Sequence, residues 1–550
     1  MGRLLTLHDP RTARRYREAG TWTDDTFYTL LAGHADARPD DFAARDGARR
    51  LRWSELLRWV DALADALAET GLRPGERVSL WMSNRLEALA AFIACSRNGY
   101  VCNPSLHRNY RLEEVTSLLR YLDARAVLVE EEWGADAGRH DPFAVLAGLP
   151  DIRKVYRLPK AREPGTDLPG PEVAPRGLAP VDDDPDKVTY VAFTSGTTGV
   201  PKAVMHSDNT LLANCRDLVR DWGHDHTSVL LTLSPLSHHI AWVAAGQALT
   251  AGMELVVDDP PPGTSRLDWL TLTGATYVMG VPTHAMDMLA EQKRRGIERL
   301  GSVRLFYMAG APIPRPVAER FLGQGIKPQN IYGMTENSSH QYTHPDDDPK
   351  TICATCGRGG RGYEVRIFDQ NDPDREVPPG TVGQIGGRGA ALMLGYFNNQ
   401  EATERSFNRD GWFLSGDLGV LDERGNLSIV GRLKDIVIRG GHNIHPAKVE
   451  ELALKHPKIA RSAAFGVPDA RLGERLCLAV GVTGDEAPDA DEVLRHLFEA
   501  GLSRLDMPEY FIVLEAFPLT ASGKILKREL VLWAKEGRIA PEPCRFEAAK

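Results

Sequence analysis

Between residues 54 and 71 the chain reads S-E-L-L-R-W-V-D-A-L-A-D-A-L-A-E-T-G, with apolar residues recurring every three or four positions. That period predicts an amphipathic helix, N-capped by Ser54 and closed by Gly71. Residues 77–82 predict a strand, followed by a helix over about 85–98. Further strand-like runs fall at 125–129, 188–193, 229–233, 254–257, 276–279 and 304–308, and most segments between them have helical length and periodicity. Strands alternating with helices predict an α/β chain whose sheets are parallel and covered on both faces. A proline-rich stretch at 159–185, ending in Asp182-Asp183-Asp184, reads as an exposed connector, because the alternation resumes directly after it.

A second change of pattern comes after 426–430, where G-R-L-K-D-I-V-I-R-G-G-H-N-I-H-P begins at Gly431. Beyond it the chain has its own α+β alternation: helix 446–455, strands 462–466 and 476–482, helix 491–501 and a strand near 511–514. The expected organisation is a large domain over 1–431, a charged hinge at 432–435 and a small mobile α+β domain over 436–550.

With 550 residues the chain exceeds one compact core and suits two to four lobes. Its hydrophobic content of 42% and charged content of 26% are ordinary for a globular protein. A net charge of −9 leaves no electrostatic footprint for nucleic acid or an anionic membrane. No apolar run approaches the length of a membrane span, and Met1-Gly2-Arg3-Leu4-Leu5-Thr6 lacks the apolar core of a secretory signal. Those six residues fit the loose M-G-x-x-x-[ST] myristoylation pattern, which short chance matches also satisfy. Seven cysteines, an odd number, argue against a disulfide framework and for a reducing, cytoplasmic setting. His340, His344, Cys353 and Cys356 have zinc-type ligand chemistry, but a surface loop with unpaired thiols explains the spacing more simply. The run Gly357–Gly362 (G-R-G-G-R-G) reads as a turn before a strand at 363–368 rather than a nucleic-acid tract.

The run Thr194 to Lys202, T-S-G-T-T-G-V-P-K, carries the most chemistry. The hydroxyls of Thr194, Ser195, Thr197 and Thr198, the permissive backbones of Gly196 and Gly199 and the Lys202 ammonium could together wrap a polyphosphate. It is not a Walker A loop, since Pro201 and Ala203 stand where Gly and Ser or Thr are required. Further islands follow in order: Pro235-Leu236-Ser237-His238, Ala309-Gly310-Ala311-Pro312 and Tyr332-Gly333-Met334-Thr335-Glu336. After these come Gly411 to Gly419 (G-W-F-L-S-G-D-L-G), Gly431-Arg432-Leu433-Lys434-Asp435 and Pro518 to Lys524 (P-L-T-A-S-G-K).

As an ordered set over nearly the whole chain, these motifs resemble the adenylate-forming superfamily of acyl-CoA synthetases, nonribosomal-peptide adenylation domains and firefly-type luciferases. One departure is Ala203, where the family usually has Gly, a change expected to stiffen the loop's exit. The resemblance implies ATP, Mg²⁺ and CoA as cosubstrates and cofactors, and a carboxylic acid as the other substrate. Glu336 would hold Mg²⁺, with Thr335 and the Thr194–Lys202 loop on the phosphates. Tyr332, Gly333 and Met334 would meet adenine beside Gly310, Ala311 and Pro312. Asp417 and Arg432 would hold the ribose, and Lys524 would bridge the carboxylate and the α-phosphate. Lys434 would be the hinge about which the small domain turns between half-reactions, bringing Gly440 and Gly441 to the CoA channel. A homodimer is compatible with this reading.

By the same resemblance His238 takes the gate position between the acyl pocket and the thiol tunnel. The pocket would be lined by Ser237, His239, Trp242, Ala309 and Asn337. The family's amino-acid-activating members place an Asp where this chain has His239, and an ammonium without that carboxylate is costly to bury. Trp242, Ile240 and Met334 suggest an apolar alicyclic, aromatic or medium-chain acid, and 337–342 is similar to cyclohexanecarboxylate-CoA ligases. Transfer to a carrier protein and luciferase-like oxygenation stay open as alternatives. A nucleotide-binding protein without turnover is disfavoured, because Glu336, Asp417, Arg432 and Lys524 are all present.

Overall fold

The computed structural model describes residues 4–161, 163, 165–194, 201–311, 313–484, 486–519 and 525–546. The chain groups into two compact units. The first takes Met1–Glu364, Arg388–Phe407 and Arg424–Leu427; the second takes Val365–Gly387, Asn408–Glu423 and Ser428–Lys550. This grouping differs from a division after Gly431, because 365–387 and 408–423 join the C-terminal part.

The first unit holds two large sheets, as the strand–helix alternation predicts. In one, the order is Ser338–Tyr342, Lys327–Met334, Leu305–Ala309, Tyr277–Gly280, Val229–Thr232, Glu254–Val257, Phe42–Arg45 and Arg50–Arg52. Its inner pairs are parallel, and only the two edge strands run antiparallel. The other has the order Lys154–Leu158, Ala124–Glu130, Arg77–Trp81, Val101–Asn103, Val188–Thr194 and Lys202–Ser207, parallel up to its closing hairpin. Tyr190 and Cys102 of this sheet share one core with Tyr277 and Tyr307 of the first. The helices Leu86–Asn98 and His239–Ala251 supply Phe92 and Trp242 to the same core. Such double coverage explains the nearly continuous apolar strands.

Three local readings change. The helix expected over 54–71 begins at Trp53, and its cap is Arg52, whose N–H donates to Glu55 Oε2 at 2.8 Å; Ser54 lies inside its first turn and donates to the Pro39 carbonyl. The proline-rich connector has no helix or strand at its described residues, yet it is pinned rather than loose. Trp59 Nε1 donates to the Pro169 carbonyl at 2.7 Å, and the buried Asp65 carboxylate accepts from the N–H groups of Arg176, Gly177 and Leu178. The glycine run at 357–362 lies against the edge strand: an added Cβ would come within 2.2 Å of the Tyr342 carbonyl at Gly357 and 2.4 Å of the His340 carbonyl at Gly359. Close backbone approach, as well as turning, requires glycine there.

In the second unit Gly473–Val482 pairs with Ile459–Asp469, Val437–Arg439 and Tyr510–Val513. The helices Pro446–Ala453, Ala490–Glu499 and Lys527–Lys535 bury Val449, Val493, Leu497 and Leu530. The strand 459–469 outruns the expected 462–466 because Asp469 accepts from Arg471 and Leu472 N–H and turns the chain directly into its partner. A separate four-stranded sheet joins Tyr363–Phe368, Gly383–Gly389, Phe413–Leu421 and Leu427–Arg432. No helix among the described residues is long and apolar enough to cross a membrane.

Candidate active site

The strands Val188–Thr194 and Lys202–Ser207 form an antiparallel hairpin in which Thr194 faces Lys202, with Thr194 Oγ1 3.4 Å from the Lys202 carbonyl. Ser195, Gly196, Thr197, Thr198 and Gly199, like Pro312 and Lys524, lie outside the described residues. Ala203 does not belong to a loop exit. It is a fully buried position of the second strand, paired with Phe193, its φ is not positive, and its carbonyl accepts from Phe397 N–H at 2.7 Å. A side chain there meets no backbone strain.

The strand Lys327–Met334 ends in a tight turn into Ser338–Tyr342. A Cβ on Gly333 would sit 1.7 Å from the Ser338 carbonyl, so only glycine allows the two strands to cross at this point. Met334 N–H donates to Asn337 Oδ1, Asn337 N–H donates to the Met334 carbonyl, and Ser338 takes φ 56°. The turn therefore carries Thr335 and Glu336 at its tip. Glu336 is only 9% exposed, and Tyr396 Oη donates to its Oε1 at 2.9 Å. The Lys202 ammonium lies 4.5 Å from the centre of the same Tyr396 ring. Burial first, then the Glu336 charge, raises the Tyr396 hydroxyl far above its ordinary range, so it stays a donor. One aromatic ring thus separates the cation of the glycine-loop hairpin from the carboxylate of the turn. Sequence reasoning missed Tyr396, because nothing local ties it to residues so far back in the chain.

His238 and the neighbouring residues face a second cluster. Its ring stacks on His107, with centroids 4.4 Å apart and planes 22° from parallel, and His107 Nδ1 lies 3.0 Å from Ser237 Oγ. Burial, then the adjacent His238, lowers the His107 imidazole to about 3. His239 opens the helix His239–Ala251 and bridges Tyr190 Oη at 3.2 Å and Ser338 Oγ at 3.0 Å. Burial, then His206, holds His239 well below its usual range, so one ring nitrogen donates and the other accepts. His206, which the sequence did not flag, contacts the Thr335 carbonyl through Nε2 at 2.7 Å. Trp242 is 1% exposed, packs 4.3 Å from Phe92 and donates to the Leu236 carbonyl; it stands in the hydrophobic core. Ala309 is buried at the end of its strand, and Gly310, φ 87°, turns the chain out of it. Asn337 is buried as part of the turn.

Tyr332 is 5.6 Å from His340, edge to face, and His340 stacks at 4.1 Å on Tyr363. His344 Nε2 lies 2.8 Å from the Gly359 carbonyl, and Cys356 is buried near Asn330. Among the described residues no group of three or more His, Cys, Asp or Glu side chains is placed to hold a metal. The stretch ahead of the thiols is not loop throughout, for Asp348 caps the short helix Pro349–Ala354.

In the second unit Asp417 lies on the strand Phe413–Leu421, where its N–H donates to Ser415 Oγ at 3.1 Å. Its Oδ1 is 3.1 Å from Nε of Arg432, at the end of Leu427–Arg432. Lys434 occupies the single turn Leu433–Asp435; burial, then Arg432, lowers its ammonium. Gly440 and Gly441, φ 57° and 88°, form the two-residue turn of the hairpin Val437–Arg439 to His442–Ile444. Leu519 and Ile525, the described neighbours of Lys524, pair as an antiparallel bridge.

The first unit thus offers a carboxylate just past the C-terminal end of Lys327–Met334 and a cation beside the C-terminal end of Val188–Thr194, the usual ligand side of parallel strands. The second offers a carboxylate–guanidinium pair on adjacent strands. Comparison with known proteins gives these arrangements a context. Residues 31–397 match the AMP-binding enzyme family, and residues 448–524 match the AMP-binding enzyme C-terminal domain. The medium-chain fatty-acid–CoA ligase of Escherichia coli (strain K12) is 29% identical over 529 residues, 95% of this chain and 93% of that protein. A salicylyl-CoA synthase / salicylate adenylyltransferase from a Streptomyces species is 30% identical over 539 residues, 94% of this chain and 95% of its own. Among solved structures, ATP-bound MatB from Rhodopseudomonas palustris has a TM-score of 0.82 at 28% identity, covering 92% of this chain and 99% of that one.

Proposed function

The chain belongs to the AMP-binding enzyme family, and we propose that it is an AMP-forming carboxylate–CoA ligase for an apolar alicyclic, aromatic or medium-chain acid. In the first half-reaction a carboxylate oxygen attacks the α-phosphorus of ATP and pyrophosphate leaves. In the second the CoA thiol attacks the acyl carbonyl, loses its proton and expels AMP. Two anions meet in the first step, so cations and hydrogen-bond donors contribute more than a general base.

The observation that best supports this reading is the Lys202–Tyr396–Glu336 array beside the Thr194–Lys202 hairpin. Lys202 and the hydroxyl-bearing loop take the phosphates, and Thr335 assists from the turn. Glu336 fits Mg²⁺: its carboxylate is a hard oxygen donor, steadied by the Tyr396 hydroxyl, and Mg²⁺ keeps waters and phosphate oxygens rather than filling a protein cage. When bound, the ion offsets phosphate charge. Tyr332, Gly333 and Met334, with Gly310, Ala311 and Pro312, take adenine. Asp417 accepts from the ribose hydroxyls with Arg432 beside it. Lys524 pairs with the carboxylate and α-phosphate, Lys434 is the hinge, and Gly440-Gly441 borders the pantetheine.

On the acid side, His239, Tyr190 and Ser338 satisfy one another, as do Tyr307 and Ser339, at 2.5 Å between their hydroxyls. No acidic residue replaces His239, which supports an acid without an ammonium group. Buried methylenes contribute about 0.8 kcal/mol each, which favours medium chains and rings over acetate. Adenylation followed by transfer to a carrier protein is the second reading, favoured by relatives named 2,3-dihydroxybenzoate–AMP ligase and pyochelin synthase PchD. Pyrophosphate release measured over a panel of acids, with and without CoA and with product mass, tests both. Faster release with acetate or an α-amino acid than with benzoate, cyclohexanecarboxylate and octanoate would overturn the substrate class. Adenylate that never becomes acyl-CoA would overturn the acceptor.

A further inference from the structure

The turn that carries Glu336 is held from outside at both ends by histidines that the reaction itself does not employ. His206 is fully buried on the strand that leaves the glycine-loop hairpin. Its Nε2 is 2.7 Å from the Thr335 carbonyl, which can only accept, so Nε2 carries the proton and Nδ1 accepts from Thr210 Oγ1 at 3.0 Å. At the other end, His239 Nε2 is 3.0 Å from Ser338 Oγ. The two imidazoles lie 5.5 Å apart, and Tyr190 reaches both, with ring centres 6.1 Å from His206 and 5.5 Å from His239. Between the clamped ends the turn is tied by the reciprocal bonds of Met334 and Asn337, and the Glu336 carbonyl accepts from Met393 N–H at 2.7 Å.

We propose that His206 and His239 are positioning residues, a two-point clamp on the Thr335–Ser338 turn that fixes the Glu336 carboxylate for Mg²⁺-bound ATP. The proposal rests on the adenylating reading for the identity of that ligand. Its physical content is specific. A fully buried strand position favours an apolar side chain, whereas a neutral imidazole must be desolvated, a cost offset only if both nitrogens are used. Both are used here, and one of them on a carbonyl within the turn. His239 follows directly on His238, so displacement of the helix start by an acid would reach Ser338 without passing through the phosphate loop.

The test uses the full-length protein and two readouts: calorimetric binding of ATP with Mg²⁺ titrated, and pyrophosphate release with octanoate. His206→Leu leaves the Thr335 carbonyl without its buried donor, and is expected to raise the Mg²⁺ needed for half-maximal ATP binding about tenfold, with the KM for octanoate changed less than about twofold. His206→Gln restores an N–H at the Nε2 position and should recover most of that loss, a rescue that a mere packing role would not give. Ser338→Ala, a milder change that keeps the fold, should give an effect of the same kind and about threefold. Equal Mg²⁺ dependence in wild type and all three variants would overturn the clamp. So would losses in His206→Leu that Gln does not relieve, or, should His206→Leu not fold, an unchanged Ser338→Ala. If the wild type binds ATP with Mg²⁺ but releases no pyrophosphate with any acid, the ligase reading fails while the binding curves still judge the clamp. Wild type that binds no ATP at all sinks both.

Discussion

Tyr396→Phe separates two things that the Tyr396 ring does at once. The phenyl ring that replaces it still lies under the Lys202 ammonium, so the cation–π contact at 4.5 Å survives. The hydroxyl that donates to Glu336 at 2.9 Å is lost, in surroundings where Glu336 is 9% exposed and water replaces it poorly. Hydrogen bonds to charged groups contribute about 1.5–3 kcal/mol, against about 0.5–1 kcal/mol for an exposed cation–π contact. The first term should dominate, so Tyr396→Phe is expected to cost the ligand-free protein about 2 kcal/mol in urea-induced unfolding followed by tryptophan fluorescence. A ligand that supplies a new partner to the carboxylate replaces part of what the hydroxyl gave. With saturating ATP and Mg²⁺ the deficit should therefore shrink by roughly half or more, so the variant gains more from the ligand than wild type does. Lys202→Met, which loses the cation and keeps the hydroxyl, should show the reverse: a small deficit alone and a larger one with ATP. A Tyr396→Phe deficit below about 0.5 kcal/mol, or one that ATP with Mg²⁺ leaves unchanged, would refute the reasoning.

Replacing Lys524 with Ala should abolish acyl-adenylate formation and leave thioester formation from preformed acyl-adenylate largely intact; an equal loss in both half-reactions would make the lysine structural. Lys434→Pro should do the opposite, because Pro fixes φ near −65° in the turn Leu433–Asp435, and unchanged CoA-dependent turnover would sink the hinge. Acid should unfold the protein cooperatively. His206 and His340 are held by burial at about 4 and about 3, below their unfolded value of 6.5, so the unfolded chain takes up their protons first. Their contribution is intact above about pH 6.5 and erodes by roughly 1.4 kcal/mol per pH unit for each as the pH falls towards 4. Urea midpoints that stay level between pH 6.5 and 4.5 would contradict this.

Much of this architecture is legible along the chain. The strands Glu254–Val257 and Tyr363–Phe368 fall where the pattern places them, the first buried throughout and the second with Tyr363, Ile367 and Phe368 buried. What the sequence hides is what depends on distant partners. Arg52 caps the helix Trp53–Ala68 because Glu55 reaches back to it, so the serine beside it, a better cap by type, is left inside the turn. The glycines at 357 and 359 look like turn residues, but strand carbonyls many residues earlier demand them. Tyr396 and His206 carry no local pattern at all. Each is an aromatic in an apolar run until the fold brings it to Glu336 or Thr335. Trp242, which by type suits a pocket wall, donates its indole N–H to the Leu236 carbonyl and packs on Phe92.

The strap from Pro169 to Leu178 has one more consequence. Both its ends are tied to the same helix, Trp53–Ala68, upstream through Trp59 and downstream through three N–H groups on Asp65. Residues 172–178 are exposed between those ties. Covalent continuity there is redundant, because the chain on either side is already fastened to one rigid rod. A break near Ala174 is therefore expected to be tolerated, the two pieces meeting through the parallel pairing of Cys102 with Tyr190 and the carboxylate of Asp65. The same spot is where a foreign sequence could be spliced in as a reporter, with the sheets on either side untouched.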